Sequence, residues 1–69
     1  MAEAETALQM AARHLAEQEA RVSEQEQLIA RLRREGQATD QAEGVLAEMC
    51  NMLVAIRDHL ERLQQRREG

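Results

Sequence analysis

Apolar residues return every seventh position through almost the whole chain, and a single glycine interrupts them. Met1, Leu8, Leu15, Val22 and Ile29 hold one heptad position, a, and Ala4, Ala11, Gln18, Gln25 and Leu32 hold d. After Gly36 the repeat resumes with Leu46, Leu53 and Leu60 at a and with Ala42, Met49, Ile56 and Leu63 at d. A seven-residue repeat keeps one face of a helix against one neighbour. The pattern predicts an all-α fold, an antiparallel two-helix hairpin of coiled-coil type.

The break supports two helices. The first is expected over residues 3–35, opening on Glu3 and Glu5 and closing on Arg31, Arg33 and Arg34, a polarity that suits the helix dipole. Gly36 stands where a left-handed residue ends a helix. A turn over 36–39 leads to a second helix over residues 40–66, capped by Thr39 or Asp40, with Asp40 and Glu43 at capping-box spacing. Gly44 in its first turn costs about 1 kcal/mol relative to alanine, unless it permits a close backbone approach. A continuous helix through Gly36, forming an extended parallel coil, is the alternative that the capping residues disfavour. A short connection makes the helices antiparallel. Folding about it sets Ile29 against Leu46, Val22 against Leu53 and Leu15 against Leu60. The pairs Gln25–Met49, Gln18–Ile56 and Ala11–Leu63 fall between them. Glu3 and Glu5 then come near Arg66 and Arg67.

A chain of 69 residues makes one small domain. Cores below about 70–80 residues rarely supply more than about 3–5 kcal/mol without a staple or oligomerisation. Aromatic residues, which bury the most area, are absent, and so is proline. The one cysteine allows no internal disulfide, which leaves self-association. The apolar surface is also wider than one neighbour covers. Val45 and Met52 stand at g, Cys50 at e and Val54 further round, while the first helix adds Ala7, Ala12 and Leu28. Two hairpins packed face to face would form a four-helix bundle. The expected interface is Val45, Met49, Met52, Leu53, Ile56, Leu28 and Val22, in a homodimer. A different protein on the same face is the alternative. Part-buried methyl groups under Arg and Glu stems would need no partner at all.

Gln18 and Gln25 occupy successive d positions. Polar seam residues can fix register at a cost in stability, or they can mark a loose, wet seam; both readings stand. The four methionines suggest a soft binding face. Met49 and Met52 read first as fillers of core gaps, and Met10 is the exception, projecting away from the seam.

Chemistry finds little footing. The net charge of −4 argues against nucleic acid, which asks for a concentrated basic face. Glu17, Glu19, Glu24 and Glu26 read as a solvated face, with a phosphate-mimicking surface that blocks a nucleic-acid enzyme as the sharper alternative. No run of 18 apolar residues offers a membrane span. The acidic first residues are unlike a secretory signal, so a cytoplasmic location is expected. His14 and His59 lack the Glu-x-x-His spacing of di-metal bundles, and His14 is expected in a surface network with Glu61. Cys50 lacks a nearby base and reads as a part-buried structural thiol. No cofactor, metal or catalytic residue is expected.

The run His14-Leu15-Ala16-Glu17, then Gln27-Leu28-Ile29-Ala30-Arg31-Leu32, Gly36 with Thr39, Ala42, Leu46-Ala47 and His59-Leu60 resembles a group of short uncharacterised α-helical proteins from proteobacteria. That group has no assigned activity, so the resemblance implies a helical fold and a bacterial source only. The expected function is a non-catalytic protein–protein interaction module that self-associates through an apolar helix face. The alternative is a small acidic regulator or inhibitor that binds a larger enzyme or nucleic-acid machine through one helix face.

Overall fold

The computed structural model describes residues 5–68. Two helices, α1 (Ala7–Arg34) and α2 (Asp40–Glu68), run antiparallel on either side of one turn. Met1, Glu3, Ala4 and the Arg67 side chain, each assigned a place from sequence, lie outside the described residues. No described helix is long and apolar enough to cross a membrane.

α1 starts at Ala7 and not near residue 3, because Thr6 caps it. The Thr6 backbone is extended (φ −73°, ψ 162°). Its hydroxyl accepts the Gln9 N–H at 3.0 Å, while its own N–H donates to Gln9 Oε1 at 2.9 Å. This capping box satisfies two amide donors that a helix start leaves open. Glu5 precedes the cap, so no acid lies in the first turn. Nor does Glu5 reach for Arg66. Its carboxylate takes two hydrogen bonds of 3.0 Å from Arg13, on its own helix.

At the other end Arg31, Arg33 and Arg34 fill the last turn of α1. Gly36 adopts φ +72°. Its N–H donates to the Arg33 carbonyl at 3.1 Å, and the Gln37 N–H donates to Leu32 at 2.9 Å. This is the paired closure of a Schellman turn, in which glycine carries the left-handed conformation without a side-chain penalty. Asp40 is already helical. Thr39 therefore holds the capping position, and its hydroxyl donates to the Glu43 carboxylate at 3.2 Å. Gly44 has open space around it, with no atom within 4 Å of where a Cβ would sit. No close approach explains it.

The hairpin measures 51 × 29 × 13 Å, one helix layer thick. Its seam follows the heptads: Leu8, Leu15, Val22, Leu32, Leu46, Met49, Leu53, Ile56, Leu60 and Leu63 are all half-buried. Among the described residues only Ala11, Gln18 and Ile29 are buried. A single layer leaves both faces of the seam open to water, whereas stable domains pack at least two layers.

Candidate functional site

Two glutamines of α1 hydrogen-bond to the backbone of α2. Gln18 Nε2 donates to the Met49 carbonyl at 3.3 Å, and Gln25 Nε2 donates to the Ala42 carbonyl at 2.9 Å. The Gln18 contact lies one heptad nearer the turn than the Ile56 partner expected from sequence, because a long amide side chain reaches along the partner helix to a main-chain carbonyl. Gln25 reaches the Ala42 carbonyl and also lines a groove with Met49, its expected partner. Ile29 and Leu46 share a cleft near the turn, as expected, and Leu8 and Leu63 line one at the open end. At 4% exposure Gln18 is among the most buried residues of the chain. No buried side-chain nitrogen or oxygen among the described residues lacks a partner. Both glutamines are thus hydrogen-bonded to α2, and Gln18 is shielded from bulk water.

The two flanks of the seam differ. On the e flank, ion pairs bridge the helices: Arg33–Glu43 at 2.8 Å and Arg57–Glu19 at 3.2 Å. On the g flank no ion pair crosses among the described residues. There Arg21 shares a shallow groove with Val45, Met49 and Met52, and Leu28 shares the adjoining one with Glu24 and Met49. Val45 is 39% exposed and Met52 55%. This flank is where apolar surface meets solvent with nothing laid across it.

The expected interface residues divide accordingly. Val45 and Met52 are exposed, Leu28 is half-buried at the groove edge, and Met49 forms part of its floor. Val22, Leu53 and Ile56 are half-buried seam residues whose first neighbour is the opposite helix. Met10 is exposed, as its position away from the seam requires, and Val54 is exposed as well. The chain matches no family model, no curated protein and no solved structure.

Cys50 is exposed, not part-buried. It stands at an e position, on the edge of a single helix layer, with no further described element packed over it. His14 makes no ion pair with Glu61 among the described residues; its charge acts on Glu5. Hydrogen bonds from Arg13, helped by the charges of Arg13 and His14, hold the Glu5 carboxyl below its ordinary value. The same contacts, with Glu17 at 3.3 Å, raise Arg13. Among the described residues no three His, Cys, Asp or Glu side chains gather as a metal would require. Of the two g-flank grooves, one sets Val45, Met49 and Met52 beside Arg21 and Glu48, and the other sets Leu28 and Met49 among Arg21, Glu24, Arg31 and Arg34.

Proposed function

We propose that the chain is a non-catalytic interaction module that self-associates through its g flank, two hairpins forming a four-helix bundle. The observation that carries this reading is the uncovered apolar strip of Leu28, Val45, Met49 and Met52 on a one-layer hairpin. Full burial of a side chain of this kind contributes about 1.5–3 kcal/mol relative to exposure, and a two-fold interface counts each residue twice. A second hairpin also supplies the missing layer over the half-buried seam. The sole thiol and the acidic balance fit a cytoplasmic setting.

Light scattering over a wide concentration range, with circular dichroism on the same samples, tests the reading. The expected mass is twice the chain's 7.9 kDa. Met52→Glu alters an exposed side chain, so it should return the mass to one chain while helix content stays. A single-chain mass at every concentration, with a cooperative melt, would refute self-association and leave the face to a different protein.

A further inference from the structure

We infer that the second copy docks antiparallel, about a two-fold axis that crosses the hairpin level with Glu48 and Met49. The inference rests on the self-association reading and specifies its geometry. The axis lies across the long dimension, so each helix packs on its own copy running the other way.

The register supports this placement. Arg21 lines one groove with Val45, Met49 and Met52, and Arg21 and Glu24 line the adjoining one with Met49, which sets the Arg21–Glu24 turn of α1 level with the Val45–Met52 stretch of α2. On α2, Val45 and Met52 lie at equal distances on either side of the Glu48–Met49 level. Reversal about that level lays Val45 on Met52 of the second copy, and Met49 next to its own equivalent. Arg21 and Met49 line both grooves, so on α1 the same level falls within the turn from Arg21 to Glu24. A level midway along that turn leaves Arg21 and Glu24 on either side, so reversal lays Arg21 on Glu24 of the second copy. One axis thus satisfies an apolar pairing on one helix and a charge pairing on the other. Neither Arg21 nor Glu24 joins an ion pair within the hairpin among the described residues, so both are free to serve. Glu48 meets its equivalent only at the outer rim, where water screens like charges. A parallel two-fold instead stacks α1 on α2, which sets Glu24 against Glu48 of the second copy twice over, like charge on like.

Cross-linking decides the geometry. In a Cys50→Ser background, Val45→Cys and Met52→Cys are made as separate full-length variants, one grown on heavy nitrogen, and mixed before mild oxidation. Both positions are exposed, so the hairpin tolerates them. The mixed disulfide should form on the order of tenfold faster than either like pair, because bridged Cα atoms must lie within about 7 Å. As a second readout, Arg21→Glu should weaken the dimer, and Arg21→Glu with Glu24→Arg should restore it. A dimer mass with like pairs dominant, or a charge swap that fails to restore, would overturn the antiparallel placement while self-association stands. A single-chain mass for the unsubstituted protein would overturn both.

Discussion

Replacing Gln18 by leucine should make the hairpin more stable, although it deletes a hydrogen bond between the helices. The bond is long, 3.3 Å from Gln18 Nε2 to the Met49 carbonyl, and such a bond contributes about 0.5–1.5 kcal/mol net. Its acceptor is not orphaned by the change. The Met49 carbonyl also takes the N–H of Leu53 in the helical ladder, so no desolvation penalty follows. The site is 4% exposed, and a leucine buried there gains about 1.5–3 kcal/mol. The difference is a stabilisation of about 1 kcal/mol, which for a domain this small raises Tm by about 4–8 °C. Thermal and urea melts followed at 222 nm would measure it. Protein concentration must be matched, because association shifts apparent stability by mass action. A loss of about 1 kcal/mol or more would refute the reasoning. It would mean that the glutamine is worth more to this seam than the burial it displaces, and that register is held by that bond and not by the leucines around it.

The two glycines should respond to alanine with opposite signs. Gly36→Ala forces a left-handed conformation at φ +72° and should cost about 1–2 kcal/mol. Gly44→Ala meets no atom within 4 Å and should stabilise α2 by about 1 kcal/mol; urea titration of each variant checks both. For Glu5, whose carboxyl is held down by Arg13, the contribution to stability is present above the ordinary glutamate range and is lost as pH falls through the lowered value. Carbon-detected NMR of the Glu5 side chain should show a midpoint below that of free glutamate, and Arg13→Gln should return it to the ordinary value.

Much of this architecture is written in the spacing of a few residues. Leu8, Val22, Ile29, Leu46, Leu53 and Leu60 define the seam because seven residues make nearly two turns, and Gly36 marks the reversal because little else accepts its backbone. The Thr6–Gln9 capping box has a sequence signal too, threonine and glutamine three residues apart, whereas Glu3 and Glu5 alone point to an earlier start. The reach of Gln18 to the Met49 carbonyl is not legible from heptads alone. A heptad says which face meets a neighbour, and the length of a side chain decides which main-chain group it finds. Depth was not legible either. Leu53 and Ile56 carry the same pattern as residues of a deep core, yet they stay half-buried here, because a repeat along one strand of sequence does not count the layers stacked on it. The difference between the flanks depended on where Arg33, Glu43, Glu19 and Arg57 happen to reach, which requires the register first.

The chain reverses once, and every contact between distant segments joins the same two helices. Among the described residues no third element packs against them. Near Gly36 the helices are held by the turn itself, and Ile29 and the Arg33–Glu43 pair lie close by. At Leu8 and Leu63 contact requires almost the whole chain to be looped out, and the entropy lost on closure grows with that length. The molecule consequently behaves as a zip with one fixed end: it parts from Ala7 and Arg66 inward while the Gly36 end stays shut. A ligand that grips the half nearer the turn finds its surface ready-made. One that grips the outer half must first wait for the zip to close, and its association rate would carry that delay.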